Sequence, residues 1–340
     1  MKLLFKVGFI YVLLSYGLFY YVYKFSSPDV QGLKDYEQYE KLYKDWDFKN
    51  VTAPFNTRLV SSYGVYLLNK SNLFYNNDIA FTEDNSRKAT FFSALLSNYV
   101  WLILTAVLIF YYSWFQGIDS ILAFIGGLIF IFSFGTLYFY LNPLTDAFSV
   151  LLSGLLFISL KKRNYYFLLL FAVALFQREY IFFLFGLFSL LKCFFDKKYR
   201  NYYLFILTSS VAFFVTYFIL RKTLFYVPGH DEQLMLGQMI SNVFNQNSSF
   251  GDYFRQTFLI QNLFIAYLVI VIYKKHKRLA VDKERLIIII SFFLQMVLIS
   301  FVASLAQTIG RLFFLCAPLL VYCLLYECQF FVRKINNVEN

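Results

Sequence analysis

Few residues of this chain could take part in a reaction or bind a charged ligand, and they occur in short polar groups between long apolar runs. One such group, Gln177-Arg178-Glu179, interrupts the apolar run 165–195. An ionisable pair inside an apolar segment is a candidate functional site. The guanidinium of Arg178 would hold a phosphate, because its planar fork matches phosphate oxygens. The alternative is a structural salt bridge between Arg178 and Glu179 that fixes the tip of a turn.

Two further arginines and two carboxylates complete this candidate chemistry. Arg58 and Arg311 are candidate phosphate ligands, or else interfacial anchors. Asp35 and Asp29 are carboxylates of the first outer loop, and a carboxylate can take the proton of an attacking hydroxyl. The alternative for Asp35 is a solvated helix face.

Tyr39 and Asp146 are expected to contact the substrate. Tyr39 lies four residues after Asp35, and on a helix this spacing puts both side chains on one face. Tyr39 would then orient the carboxylate or stack on the substrate. Asp146 ends the group Asn142-Pro143-Leu144-Thr145-Asp146, which is alternatively a turn and helix cap with the proline in the first turn.

The sequence supports no metal or cofactor site. His230-Asp231-Glu232 has the ligand types of a metal site, but successive residues do not converge without a specific turn. The four cysteines lie in or beside apolar runs, without the spacing of a zinc site or disulfide framework. There is no Gly-rich phosphate loop and no Ser-His-Asp signature. No cofactor is predicted, and a divalent metal is not supported.

Composition places the chain in a membrane. The 340 residues are 59% hydrophobic, 23% aromatic and 15% charged, whereas soluble domains are less apolar and about a quarter charged. The net charge of +11 comes from short basic clusters between apolar runs. Such clusters are a topology signal, so they do not indicate a nucleic-acid partner; membrane lipids are the expected surroundings.

The apolar runs predict an all-α polytopic membrane protein with about ten membrane segments. A spanning helix needs about 20 apolar residues. The predicted segments are 5–23, 90–115, 120–141, 143–160, 165–177, 180–195, 204–220, 257–273, 286–305 and 312–332. We expect a single transmembrane domain over 1–340, with outer loops at 24–89 and 221–256.

The basic clusters predict how the segments are threaded. Lys and Arg favour the cytoplasmic side, and clusters close both ends of the run 165–195. This run therefore predicts a re-entrant-type hairpin with Arg178 and Glu179 at its tip. Both termini are expected in the cytoplasm, and the candidate site residues on the outer side. The loop patches 35–46, 59–68 and 234–244 are expected to be helical, with 35–46 and 234–244 lying in the membrane interface.

Five motifs, in this order, resemble a group of small bacterial membrane proteins with a GT-C-like pattern. They are Asp35-x-x-x-Tyr39, Ala53-Pro54-Phe55-x-x-Arg58, Asn142-Pro143-Leu144-Thr145-Asp146, Gln177-Arg178-Glu179 and Gly310-Arg311-x6-Pro318. That group is related to glycosyltransferases that use polyprenyl-phosphate-linked sugars. The resemblance runs from about 29 to 320, and it departs after Arg58, where Leu59-Val60 stands in place of the usual Leu and Pro. The large soluble outer domain of many GT-C enzymes is absent.

The resemblance implies a glycosyltransferase of hexosyltransferase type in a bacterial inner membrane, acting in cell-envelope polysaccharide synthesis. The donor would be a polyprenyl-phosphate sugar, and the acceptor a hydroxyl of a glycan or lipid-linked molecule on the outer side. In that family an acidic residue of the first outer loop serves as base, a role that would fall on Asp35, with Asp29 as the second candidate. Two alternatives stay open: a polymerase of surface polysaccharide such as O-antigen or exopolysaccharide, and a lipid or solute transporter.

Overall fold

The computed structural model of the protein describes residues 2–25, 34–52, 54–72, 82–137, 141–225, 262–302 and 313–336. These residues form twelve α-helices and no strand. In chain order the helices are α1 Lys2–Phe25, α2 Lys34–Asp45, α3 Leu59–Lys70, α4 Asn85–Phe115, α5 Ser120–Ile131, α6 Asp146–Lys162, α7 Tyr166–Leu175, α8 Tyr180–Phe195, α9 Arg200–Thr223, α10 Asn262–His276, α11 Lys283–Val302 and α12 Ala317–Asn336. The predicted all-α class is confirmed for this part of the chain.

Each of the ten predicted apolar segments contains one of these helices. Three helical segments are long and apolar enough to cross a membrane: Lys2–Phe25, Asn85–Phe115 and Lys197–Thr223, the last formed by α9 and the short turn before it. The 31 residues of α4 extend about 46 Å at 1.5 Å per residue, more than the roughly 30 Å of a bilayer core. Shorter apolar helices include α5, α7 and α8.

Two segment boundaries differ from prediction. The segment 120–141 is not one helix, because α5 ends at Ile131 and the chain bends there. The hydroxyls of Ser133 and Thr136 both donate to the Phe130 carbonyl, at 2.9 and 2.6 Å, and so compete with the helical hydrogen bonds. The segment 143–160 begins as a helix only at Asp146, with Thr145 as its cap, so Pro143 precedes the helix and is not in its first turn.

The chain reverses between α7 and α8, as the sequence predicts. The ring of Phe171 lies 5.5 Å from that of Phe182, so the two helices pack side by side. At the far end of the pair, Arg163 Nη2 and Asp196 Oδ2 are 3.3 Å apart. The two ends of the run 165–195 therefore meet. Its polar centre, the residues 177–179, lies at the opposite end of the two helices.

The loop helices gather with the polar centre at one end of the molecule, here called the motif pole and comprising 34–72, 141–146 and 176–179. Tyr43 donates to the Pro143 carbonyl at 3.3 Å, and the Gln177 amide donates to the Thr145 carbonyl at 2.6 Å. Arg87, in the first turn of α4, lies 3.1 Å from Glu40 of α2. Segments distant in sequence thus form one polar layer.

The basic turns gather at the other end, here called the basic pole and comprising the turns 116–119, 162–166, 195–199 and 276–283. Besides the Arg163–Asp196 pair, Lys192 of α8 pairs with Glu284 of α11. Gln329 of α12 donates to the Gly117 carbonyl at 2.9 Å. Segments predicted to share a side of the membrane therefore lie together.

The predicted helical patches 35–46 and 59–68 are the helices α2 and α3. The expectation that the apolar face of α2 is turned toward the membrane is wrong. That face carries Tyr36, Tyr39 and Tyr43, all fully buried. Tyr36 packs edge-on against Phe91 of α4 at 6.0 Å, so protein covers these rings. The patch 234–244 lies outside the described residues.

Candidate functional site

An ion pair between Arg178 and Asp146 forms the centre of the motif pole. Arg178 lies in the break between α7 and α8, and Asp146 lies in the first turn of α6; their side chains are 4% and 1% exposed. Arg178 does form a buried salt bridge at this tip, and its partner in that bridge is Asp146 where the sequence predicted Glu179. Arg178 reaches the adjacent helix because Asp146 there is a buried carboxylate that requires a partner.

A second arginine lies in the same layer. Arg58, between a 3-10 turn and α3, donates from Nη1 to the hydroxyl of Tyr39. Thr145 Oγ1 donates to the same hydroxyl at 3.1 Å. Since the Tyr39 oxygen accepts both bonds, its own proton remains available to donate. Arg58 is 5% exposed, and its Nε has no hydrogen-bond partner among the described residues.

The charges of this cluster act on one another at short range. Burial lowers the pKa of Arg58, but interactions with Tyr39, Glu179 and Asp146 outweigh that effect and the net shift is upward. Arg58 is therefore cationic at every accessible pH. Burial is also the main reason that the pKa of Tyr43 lies well above its ordinary value, so its hydroxyl stays protonated and donates to the Pro143 carbonyl.

Gln177 has no role predicted from its sequence position, yet its side chain forms hydrogen bonds that join three segments. Its amide nitrogen donates to the Thr145 carbonyl and, at 3.1 Å, to Ser149 Oγ of α6. Its amide oxygen accepts from the backbone N–H of Ser61 at 3.2 Å. Gln177 therefore sets the position of the break that carries Arg178, and its place beside Arg178 in an apolar run was the available signal.

Asn98 is a second residue that the sequence analysis missed. It lies within α4, and its amide donates to the carbonyls of Asn142 and Leu144, the latter at 2.7 Å. With the Tyr43 bond to Pro143, these contacts satisfy three successive carbonyls of a segment that is not helical. A buried Asn in an apolar helix was the signal, since such a side chain must find partners.

The described residues bring together five of the eight predicted site residues: Tyr39, Arg58, Asp146, Arg178 and Glu179. Glu179 is half-buried, and its Oε2 has no hydrogen-bond partner among the described residues. Asp35 lies half-buried in the first turn of α2, one turn before Tyr39. Asp29, Arg311 and the group 230–232 lie outside the described residues.

The cluster can orient an anionic or polar group against two arginines. Arg178 forms an ion pair with Asp146, and the Nε of Arg58 has no hydrogen-bond partner among the described residues. In a site shielded from water, such fixed donors interact strongly with developing negative charge. No group of three or more His, Cys, Asp or Glu side chains in the described part of the chain is arranged to hold a metal ion.

Comparison with protein-family models, with curated proteins and with solved structures finds no match for this chain.

Proposed function

We propose that the protein is a GT-C-like membrane glycosyltransferase that moves a sugar from a polyprenyl-phosphate donor to a hydroxyl acceptor. The observation that carries this proposal is the convergence of Tyr39, Arg58, Asp146, Arg178 and Glu179 in one buried layer. Their positions are separated widely in sequence, and a merely solvated set of loop charges has no reason to meet. A charged layer at the end of apolar helices suits a substrate with a lipid tail and a phosphate head.

The two arginines have different parts in this proposal. Arg58 contacts the donor phosphate, because its Nε has no hydrogen-bond partner within the described part of the chain and its charge is permanent. Arg178 adds positive charge from a fixed position, and Asp146 is the positioning residue that holds it. As the bond from the sugar to the carrier phosphate breaks, both guanidinium groups stabilise the charge that develops on the leaving phosphate.

Asp35 is the proposed base. The acceptor oxygen attacks the anomeric carbon, its proton passes to the Asp35 carboxylate, and the carrier phosphate leaves with the bonding electrons. In support, Asp35 lies one turn from Tyr39, whose hydroxyl contacts Arg58. The half-buried Glu179, whose charge acts on Arg58, is an alternative base, and Asp29 is the second candidate from the loop of Asp35.

The proposed setting is a bacterial inner membrane that the chain crosses several times. The basic pole would face the cytoplasm, because Lys and Arg clusters favour that side, and the motif pole would face outward. The three long apolar helices support membrane insertion. The grouping of the basic turns at one end and of the candidate site residues at the other supports this orientation.

Transfer from a defined polyprenyl-phosphate sugar, measured with purified variants, tests the proposal. Asp35→Asn is nearly isosteric, so it should retain the wild-type melting temperature and donor affinity while the transfer rate falls by about 10²–10⁴. Glu37→Gln is the matched control, since it removes a charge from an exposed position of the same helix. Asp29→Asn should have the smaller effect of the two aspartate changes.

The assignment of Asp35 fails if Asp35→Asn transfers sugar at the wild-type rate, or if it loses stability in parallel with activity. The polymerase alternative is distinguished by product, because it would transfer a whole oligosaccharide. A transporter would move its substrate across a sealed vesicle without breaking the sugar–phosphate bond. One observation favours a transporter. Lys274 and Glu327 form a buried ion pair between two apolar helices, and such pairs can mark the route of a substrate or ion across the membrane.

A further inference from the structure

A cavity of about 360 Å³ lies at the basic pole, where α6 and α8 end and α11 begins. Small-molecule sites occupy roughly 300–1,000 Å³, so the volume is sufficient for a ligand headgroup. Its inner wall is apolar and aromatic, with Phe157, Phe188 and Ile288 among the lining residues. Its polar part reaches the surface, because the Arg163 side chain is 39% exposed.

The positive and negative charges of the residues that line this cavity do not cancel. The lining includes four cations and three carboxylates: Lys161, Arg163, Lys192 and Arg285 with Asp196, Asp282 and Glu284. Each carboxylate has its own cation. Arg163 pairs with Asp196 at 3.3 Å, Lys192 pairs with Glu284, and Arg285 pairs with Asp282 at 3.4 Å. Within the described residues, Lys161 is the lining cation that forms no ion pair or hydrogen bond.

Two donors of the cavity therefore have unused capacity. The pKa of Lys161, which lies beyond the predicted span 143–160, is lowered by partial burial and by the like charges of Lys192, Arg285 and Arg163. The Nη1 of Arg285 is buried without a hydrogen-bond partner in the described part of the chain. Arg285 is also held in place, since its guanidinium stacks 3.5 Å from the centre of the Tyr326 ring.

We propose that this cavity binds a phosphate group, carried either by an anionic lipid or by a soluble phosphate compound. A phosphate presents several acceptor oxygens and can accept from the Lys161 ammonium and the Arg285 guanidinium together. It would also relieve the repulsion among the four cations. The apolar inner wall would accommodate the uncharged part of the ligand. The site lies at the opposite pole from the proposed transfer site and does not depend on that function.

Thermal unfolding of the purified full chain in phosphatidylcholine nanodiscs tests the soluble source, with sodium pyrophosphate titrated at constant ionic strength. Nanodiscs containing phosphatidylglycerol test the lipid source. Wild-type protein should melt at a higher temperature with at least one probe. Lys161→Gln should raise the half-saturating concentration, or the phosphatidylglycerol fraction required, by about tenfold or more, as expected for loss of a charged hydrogen bond.

Two variants separate binding from a structural effect. Lys162→Gln is the matched control, because Lys162 is the neighbouring lysine, is exposed as Lys161 is, and does not line the cavity. It should respond to the probe as wild type does. Lys161→Arg keeps the charge and should also retain the response. Stabilisation by pyrophosphate identifies a soluble phosphate, and stabilisation by phosphatidylglycerol alone identifies a lipid. The inference is overturned if neither probe stabilises wild-type protein, or if Lys161→Gln and Lys162→Gln respond equally.

Discussion

Asp146 and Arg178 show how a single buried carboxylate determines where the side chain of an arginine is held. Isolated, either charge would be costly in an apolar interior, and removing one partner of a buried pair typically costs about 3–5 kcal/mol. Asp146 therefore ties the break between α7 and α8 to the start of α6. The same contact limits how freely Arg178 can turn toward a ligand, which is why Arg58 is the better candidate for direct phosphate contact.

Substitution of Arg178 should separate stability from donor binding. Arg178→Gln leaves Asp146 buried without its cation, so we expect the free energy of unfolding to fall by about 3–5 kcal/mol. Adding Asp146→Asn should recover part of that loss, because the two changes are coupled. Arg178→Lys keeps the charge but loses the fork, so it should fold and bind the donor more weakly.

Melting temperature and donor affinity, measured side by side, check this prediction. Arg200→Gln is the control, since Arg200 is exposed at the other pole. If Arg178→Lys binds donor as tightly as wild type, Arg178 has a structural role only. If Arg178→Gln is as stable as Arg200→Gln, the Asp146 pair does not contribute to stability.

At the scale of elements, polar contacts between the apolar helices determine which helices pack together and in which register. Lys274, in the last turn of α10, pairs with Glu327 of α12, and the two side chains are 9% and 0% exposed. Association of apolar helices in lipid lacks a hydrophobic driving force and depends on packing and on polar contacts. This pair therefore selects the register in which α10 and α12 meet.

A double-mutant cycle tests that pair. Glu327→Gln should lower the free energy of unfolding by about 3–5 kcal/mol, because Lys274 stays buried without a counter-charge. The double change Lys274→Met with Glu327→Gln should be more stable than Glu327→Gln alone. Lys275→Met is the control, since Lys275 is exposed and surface changes are usually within about 0.5 kcal/mol. Additive losses in the cycle would show that the two side chains do not interact.

At the scale of the whole molecule, the helices α4 and α6 to α9 run between the motif pole and the basic pole. Because successive helices run in opposite directions, the run 165–195 must form two helices, α7 and α8, and not one span. A single span over 165–195 would separate Arg163 from Asp196, whereas these residues are in contact. With the pair, the basic turns 162–166, 195–199 and 276–283 share one pole.

Cysteine labelling in a background without native cysteines should reveal the orientation in the membrane. A thiol-reactive reagent that cannot cross the membrane should modify Lys70→Cys, at the motif pole, in intact cells. It should modify Lys162→Cys and Asn201→Cys, which flank the reversal, only after permeabilisation; all three positions are exposed. Labelling of Lys162→Cys and Asn201→Cys from opposite sides would contradict the hairpin.

The sequence by itself determined the helices and the poles. Long apolar runs favour helices, because a helix satisfies its backbone groups within one segment, and the short polar groups between the runs mark where helices end. Each predicted run contains a helix, the break at 176–179 lies where Gln177-Arg178-Glu179 interrupts the apolar pattern, and α2 and α3 follow their predicted patches. These features depend on neighbours in sequence, so local composition is sufficient to locate them.

The tertiary structure alone decided which polar groups are partners. Arg178 pairs with Asp146 where the sequence predicted Glu179, Gln177 joins α3 to α6, and α5 ends early at the Ser133 and Thr136 hydroxyls. The partners of a buried polar group depend on which donors and acceptors the packed helices leave unsatisfied. That outcome depends on distant segments meeting, and no local pattern of residues contains it.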